Sequence, residues 1–416
     1  MIVLDLSRLL SRAGREAATG IDRVELAYAE HLIATYPITG RSRAGFAAAA
    51  SLPGMAGRIG SLPRSAAEAY VRALAASWRE GQATRAEYRR IRSMGLRLRL
   101  APFFARPNAL PSRLRTAAAT PFYFLVSHHH LEDRRAIERL KQRGGARFIC
   151  LIHDLIPTQF PEYAKPGQGQ RHRERIEGAA ALADGVIVAA EATGDAFLPF
   201  LDRAGRRSVP VLVAPFGLDL PSLPPDSAPP LAPPYFVYVG TIEARKNHLL
   251  LLNLWRALAQ EIGAAAPRLV LIGQRGWETE NVIDMLERCP GLRGLVIEHN
   301  RLPDAEMARL LKGARALLLP SFAEGFGFPV IEALALGVPA LCSDVPGLRE
   351  TGGGVPELID PLDGCGWRTA ILDYATDPSP RREAQLQRLS EWRPTSWADH
   401  FAAVERLVER VAASPR

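Results

Sequence analysis

The stretch PSFAEGFGFPVIEALALGVPAL, residues 320–341, decides how the rest of the chain is read. It passes from the end of an apolar run through a glycine-rich turn into helix-forming sequence that begins near Pro329. Proline suits a first helical turn, where its missing N–H leaves no partner unsatisfied. Gly325 and Gly327 let the backbone come close to a ligand, and the N–H groups at the helix start make an anion site. Glu324 on the turn and Glu332 on the helix have seven residues between them, so one carboxylate is expected to face a cleft while the other reaches in from the helix. Two acceptors for hydroxyl groups beside an anion site are what a nucleotide sugar requires.

Working outward, the apolar runs YFVYVG (235–240), RLVLIG (268–273), GLVIEH (294–299), ARALLLP (314–320) and VPALCSD (338–344) alternate with helical patterns. Strands alternating with helices predict a doubly wound parallel sheet, with ligands beyond the strands' carboxyl ends. The loops after Gly240, Gly273 and Pro320 are therefore expected to face an interdomain crevice. Towards the N-terminus a second series appears: IVLDL (2–6), FYFLV (122–126), FICLI (148–152), GVIVA (185–189) and VPVLVAP (209–215). The segment PPDSAPPLAPP, 224–234, reads as a stiff connector between the two. A chain of 416 residues exceeds what one core usually supports. We expect an N-terminal domain over 1–222, a C-terminal domain over 223–395, and a terminal helix over 396–416.

A second motif, VGTIEARKNHLLLLN at 239–253, ends a strand at Gly240 and starts a helix after Asn247, which leaves Arg245 and Lys246 at the loop mouth. The pair Glu324 and Glu332 followed by ALALGVPAL resembles the signature of retaining glycosyltransferases of family 4, which have the GT-B fold of two Rossmann-like doubly wound α/β domains facing a cleft. The resemblance implies that Glu332 binds the donor ribose and Glu324 the transferred sugar, with the backbone of Gly325, Phe326, Gly327 and Phe328 on sugar and phosphate. It also implies that the basic residues of the second motif bind the donor diphosphate and stabilise its leaving charge in place of a metal ion. Where the commoner pattern has an Arg directly after the glycine, this chain has Thr241 after Gly240. Either Arg245 supplies that guanidinium or phosphate binding rests mainly on Lys246.

In the N-terminal half, ICLIHDLIP (149–157) places His153 and Asp154 just after a strand. His153 resembles the family histidine near the donor sugar; the plainer reading is a structural histidine. His128, His129 and His130 follow another strand, with His128 a candidate for the acceptor side. Successive histidines do not converge on one metal ion. ATGIDRVELAYAEHL (18–32) has Gly20 in a turn and resembles the family loop near phosphates and acceptor, which makes Thr19, Gly20 and Arg23 candidates. The last segment, SWADHFAAVERLVER (396–410), reads as a helix with Phe401, Val404 and Val408 on one face, and by the resemblance it crosses back to the N-terminal domain.

Lys and Arg exceed Asp and Glu by 52 − 44 = 8, so the surface should attract anions. No nucleic-acid-binding signature is present, and no apolar run approaches the length of a membrane span. The start MIVLDLSRLL reads as a strand, not a secretory signal, and Cys150, Cys289, Cys342 and Cys365 form no paired motif, so a cytoplasmic location is expected. Residues 64 to 118 read as a basic helical insert carrying Arg85, Arg89, Arg90, Arg92, Arg97, Arg99, Arg106, Arg113 and Arg115. Among these stand Leu96, Leu98, Leu100, Phe103 and Phe104. This is either a solvated insert whose arginines pair locally or a surface that docks on the anionic inner face of a membrane.

The expected function is transfer of a hexose-type sugar such as mannose or glucose from a nucleoside diphosphate to a hydroxyl of a glycan or lipid-linked acceptor, with no metal or other cofactor. Retention of anomeric configuration follows from the resemblance. The alternative is a catalytically silent nucleotide-sugar-binding subunit of a glycan assembly complex.

Overall fold

The computed structural model describes residues 1–15, 17–36, 45–52, 58–80, 84–104, 109–221, 223 and 230–415. Arg106, the side chain of Phe104 and residues 224–229 of the proline-rich connector lie outside the described residues. The chain divides into two compact units. The first joins Met1–Gln159, Pro166–Phe216 and Ser396–Arg416, and the second joins Phe160–Lys165 and Gly217–Thr395.

In the first unit, β1 (Ile2–Asp5), β2 (Phe46–Leu52), β3 (Arg58–Ser61), β4 (Phe122–Leu125), β5 (Arg147–Ile152), β6 (Gly185–Val188) and β7 (Val211–Val213) form one sheet. Its order is β3-β2-β1-β4-β5-β6-β7, parallel except for the β2–β3 pair. In the second unit, β8 (Tyr235–Val239), β9 (Arg268–Ile272), β10 (Val296–His299), β11 (Leu317–Leu319), β12 (Ala340–Ser343) and β13 (Glu357–Ile359) are all parallel, in the order β10-β9-β8-β11-β12-β13. Strands buried on both faces read as continuous apolar runs, as YFVYV and LLL do here. Each sheet changes winding direction once, between β1 and β4 and between β8 and β11. Such a reversal opens a ligand-binding crevice at the strands' carboxyl ends.

Three strands escape the sequence reading. β2 is FAAAASL, and alanine is the strongest helix former; tertiary packing overrides that preference, because Ala47, Ala48, Ala49 and Ala50 are all buried. β3 and β13 are short segments, RIGS and ELI, that carry little periodic signal.

The region read as a basic insert is three helices, and the first, Arg64–Glu80, belongs to the core. It buries Tyr70, Val71, Leu74 and Trp78, and the Tyr70 hydroxyl donates to the Leu9 carbonyl at 2.6 Å. The second, Arg85–Phe104, rests on the unit along the narrow strip Ile91, Gly95, Leu98 and Pro102. Gly95 allows that approach, since a Cβ there would lie 2.5 Å from the Ala13 Cβ. Leu98 is thus buried, contrary to its expected place with the exposed apolar residues, because it falls on the inner strip. Leu96, Leu100 and Phe103 face outward at 58%, 43% and 43% exposure, among the exposed Arg89, Arg92 and Arg99. Among the described residues no carboxylate pairs with Arg89, Arg92 or Arg99. Arg89 Nε instead donates to the Arg85 carbonyl at 3.3 Å, one turn back along the helix.

The final helix, Trp397–Ala413, lies in the first unit and packs on β6 and β7. Its start is a capping box in which the Ser396 hydroxyl accepts from the Asp399 N–H at 3.1 Å while Asp399 accepts from Ser396. Phe401, Val404, Leu407 and Val411 are buried, and Leu407 rather than the expected Val408 continues the stripe. His400 is buried beside them. Its Nδ1 donates to the Pro215 carbonyl at 3.0 Å, so its Nε2 accepts from the Tyr28 hydroxyl at 2.9 Å.

Candidate active site

In the second unit the two loops that flank the β8/β11 reversal carry the two sequence motifs. The first runs from Gly240 through a short 3-10 turn, Ala244–Lys246, to Asn247, whose φ of 57° is one that asparagine tolerates better than most residues. The Asn247 amide donates to the Pro361 carbonyl at 2.9 Å and fixes where the following helix, His248–Ile262, begins. The second loop follows β11 and ends at Gly327 with φ of 89°, ahead of the helix Phe328–Ala335 with Pro329 in its first turn. Only glycine suits that position, because a Cβ would also lie 2.5 Å from the Leu348 Cδ2.

These loops are tied together by charge. Lys246 Nζ pairs with Glu324 Oε1, and Arg245 Nη1 donates to Glu324 Oε2 at 3.1 Å and to the Ala323 carbonyl at 2.7 Å. The Ser321 hydroxyl donates to Glu324 Oε1 at 2.8 Å, and the Phe322 N–H donates to the Arg245 carbonyl at 2.8 Å. Burial alone would raise the Glu324 carboxyl. The Lys246 and Arg245 charges, with hydrogen bonds from Lys246 and Ser321, outweigh it and hold the group down to about 2. The Lys246 ammonium is lowered, chiefly by burial and next by Arg245, with Glu324 opposing. Glu332 is buried on the helix Phe328–Ala335, and Phe326 and Phe328 meet edge to face at 5.2 Å. Gly240 has φ of 149°, and Thr241 continues the loop without a cationic side chain, so Arg245 is the guanidinium that reaches the glutamate loop.

One member of the cluster has no place in the sequence reading. Glu243 is buried beside the turn, and its Oε1 takes the Arg245 Nε at 2.8 Å. Its signal was the spacing E-A-R-K, which places an acid two residues before the arginine. A six-residue segment from the N-terminal half also lies in this unit: Tyr163 stacks on Phe322 with ring centroids 5.8 Å apart, and Lys165 sits over the Trp277 ring at 5.2 Å.

The first unit holds the other candidates. The His153 N–H donates to His128 Nε2 at 3.1 Å, and His153 Nε2 meets the Val126 carbonyl at 2.9 Å, which makes that nitrogen the protonated one. His172 joins them, its ring 4.8 Å from His128 and its Nε2 3.1 Å from the Asp154 carbonyl. Burial is the main cause that lowers all three; for His153 the value falls to about 4. These are neutral imidazoles at neutral pH. The cluster is thus His128, His153 and His172 rather than the sequential run 128–130. Among the described residues no group of three or more His, Cys, Asp or Glu side chains is placed to hold a metal ion.

Thr19 caps the helix Gly20–Thr35, so Gly20 is its first residue and not part of a turn. The reason is Asp22, which accepts from the Thr19 N–H at 2.9 Å and the Thr19 hydroxyl at 2.7 Å. Asp22 also takes Arg8 Nε at 2.7 Å and Arg12 Nε at 3.3 Å, and Arg8 Nη2 donates to the Thr19 hydroxyl at 3.2 Å. Arg23 is half-buried on the same turn. The pairing of Arg8 and Arg12 with Asp22 is not readable from local sequence, because it spans 14 and 10 positions.

The family described as Glycosyl transferases group 1 matches residues 221–353. The chain is 29% identical over 258 residues to O-antigen chain mannosyltransferase B of Escherichia coli, covering 60% of this chain and 67% of that protein. It is also 29% identical over 237 residues to the serotype-specific mannosyltransferase WbdA of Escherichia coli, covering 53% of this chain and only 29% of that much longer protein. Among solved structures, Anabaena Alr3699/HepE in complex with UDP-glucose aligns over 98% of this chain and 99% of its own, with a TM-score of 0.61 at 15% identity. Residues 221–353 thus match the glycosyl transferases group 1 family, and the sheet orders and structural likeness give the chain the GT-B fold.

Proposed function

We propose that the chain is a retaining glycosyltransferase of polysaccharide biosynthesis that moves a hexose-type sugar from a nucleoside diphosphate to a hydroxyl of a glycan or lipid-linked glycan. The observation that carries this reading is the pairing of Arg245 and Lys246 with Glu324 at the β8/β11 reversal. A buried ammonium and a half-buried guanidinium there, held by a displaceable carboxylate, suit a diphosphate. Glu324, freed from them, suits the sugar hydroxyls, and Glu332 the ribose. Mannose is the first sugar to test, since the relatives above are named for it, and a structural neighbour holds UDP-glucose.

In this reading the bond between the sugar C1 and the diphosphate oxygen breaks while the acceptor oxygen bonds C1 on the same face. The acceptor's proton passes to the leaving phosphate. Arg245 and Lys246 stabilise the charge that grows on the diphosphate, a role that calls for no metal ion. Neutral His153, with Nε2 given to Val126, offers Nδ1 as a hydrogen-bond acceptor to the sugar or acceptor. Incubating the protein with a panel of nucleoside diphosphate sugars and a glycan acceptor tests the reading. A product whose anomeric configuration, read by NMR, matches the donor's supports it; an inverted product, or donor binding without transfer to any acceptor, refutes it.

The acceptor's lipid points to an anionic membrane surface as partner. The outward face of the helix Arg85–Phe104 has the required chemistry, with Leu96, Leu100 and Phe103 among arginines that no carboxylate neutralises in the described residues. No described helix is long and apolar enough to cross a membrane. Each basic residue near an anionic surface adds about 1 kcal/mol, screened by salt. Replacing Arg89, Arg92 and Arg99 with Glu should release the protein from phosphatidylglycerol-containing vesicles and leave donor turnover unchanged in a water-soluble acceptor assay. Co-sedimentation that is indifferent to both salt and charge reversal would remove the membrane from the account.

A further inference from the structure

Glu243 is a buried acid to which neither the motif nor the proposed chemistry gives a task. Burying a carboxylate is costly unless it is paired and hydrogen-bonded. Here it is paired, and with one particular atom: the Arg245 Nε, at 2.8 Å. Arginine presents a planar fork of five donors, so what holds one edge sets the direction of the others. The Nη1 atom points to Glu324 Oε2 and to the Ala323 carbonyl. Two carboxylates therefore hold one guanidinium through different nitrogens, one from its own turn and one from the glutamate loop.

The two carboxylates are not equally placed. The residue before Glu243 is pinned on both sides to the loop after β9: the Ile242 N–H donates to the Gln274 carbonyl at 2.9 Å, and the Ile242 carbonyl accepts from the Gly276 N–H at 2.8 Å. Glu243 thus follows backbone that is bridged to the neighbouring loop just beyond the carboxyl ends of β8 and β9. Glu324 stands on the loop that by our reading turns to the sugar. Counting formal charges, Arg245 and Lys246 contribute +2 and Glu243 and Glu324 contribute −2. A diphosphate arriving at a balanced cluster must displace an acid to gain the cations.

We propose that Glu243 is the positioning residue for Arg245, the fixed anchor that keeps its guanidinium aimed at the 320–327 loop while Glu324 gives way to the donor's diphosphate. This rests on the donor-site reading above. It accounts for how this chain uses Arg245 as its phosphate guanidinium with Thr241 next to the glycine: the side chain starts from a different position and needs a partner on its Nε edge to arrive.

The test is a double-mutant cycle on Glu243 and Arg245, read as the Kd of UDP and of GDP by calorimetry and as the kcat for donor turnover, with thermal melts as the control for folding. Arg245→Ala should weaken nucleoside diphosphate binding about tenfold or more, the scale of a lost hydrogen bond to a charged group. Glu243→Ala should lose a similar factor in the wild-type background and nothing further in Arg245→Ala. Glu243→Gln, whose amide oxygen still accepts from Nε, should retain affinity within about threefold, while Glu243→Asp, one methylene shorter, should behave like the alanine variant. The Gln and Asp pair decides the matter if Glu243→Ala does not fold. Equal losses from Glu243→Ala in both backgrounds, or Gln as damaging as Asp, overturn the anchoring role. Unchanged affinity in Arg245→Ala alone overturns the donor-site reading, and this proposal with it.

Discussion

The two sheets share a winding pattern yet hold opposite chemistry at their carboxyl ends. Beyond β8 and β11 lies a cluster of paired ions, Arg245, Lys246, Glu243 and Glu324. Beyond β4 and β5 lies a cluster of imidazoles, His128, His153 and His172, that burial keeps neutral. The difference teaches that topology supplies the place and side chains supply the task. By our reading the paired cations beyond β8 and β11 meet the diphosphate, while the buried histidines beyond β4 and β5 offer neutral hydrogen-bonding groups suited to hydroxyls.

The sharpest way to break that contrast is to remove the cation that matters most. Lys246→Ala should lower kcat by about 10² to 10³-fold, as losing one preorganised charge partner of a transition state does, and should weaken donor binding by a smaller factor. Steady-state kinetics beside calorimetry checks this. A rise in KM with kcat intact would place Lys246 in ground-state binding only.

Acid titration should separate the clusters into two windows. Glu324 is held at about 2 in the folded chain against 4.5 for a free glutamate, so it adds stability above about 4.5 that is lost as pH falls towards 2. The whole effect is on the order of 3 kcal/mol. His153, lowered from 6.5 to about 4, favours the folded state above 6.5 and loses that contribution as pH falls to 4, because only the unfolded chain then takes the proton. Urea unfolding across pH 2.5 to 8 should show Glu324→Gln flattening the lower window and His153→Asn the upper. Loss of both windows in one variant would mean the clusters are not electrostatically independent.

Smaller effects follow for donor and acceptor contacts. Glu332→Ala should weaken nucleoside diphosphate binding by about 10 to 100-fold, the range for hydrogen bonds to a charged group. Unchanged calorimetric affinity in the folded variant would remove the ribose assignment. His153→Asn should lower kcat by less than about tenfold, since a neutral side chain that accepts one hydrogen bond contributes about 1 kcal/mol. A loss near that of Lys246→Ala would give the histidine a larger part than the contrast allows.

How much of this was legible in the sequence differs between the two halves for physical reasons. Parallel strands buried on both faces leave unbroken apolar runs, so the ten strand segments read from RFICLI, YFVYV, RLVLI and their like lie where strands form. Gly327 and Pro329 mark a turn and helix start by local backbone chemistry alone. β2 was not legible, because its run of alanines forms a strand only when neighbours press on both faces. The pairing of Arg8 and Arg12 with Asp22, and of His172 with His128, spans distances that no local pattern encodes. Leu96, Leu98 and Leu100 alternate with basic residues in the sequence, but only the packing of Gly95 on Ala13 decides which of them faces solvent.

The central claim is that Arg245 and Lys246 leave Glu324 to hold a donor diphosphate. Titrating the protein with UDP and with GDP in a calorimeter, in buffer containing a metal chelator, addresses it directly. The account predicts that at least one of them binds under these conditions, and that the double variant Arg245→Ala, Lys246→Ala, still folded by circular dichroism, loses that binding by about a hundredfold or more. Binding of equal strength in the double variant, or binding that appears only when a divalent ion is restored, would contradict it.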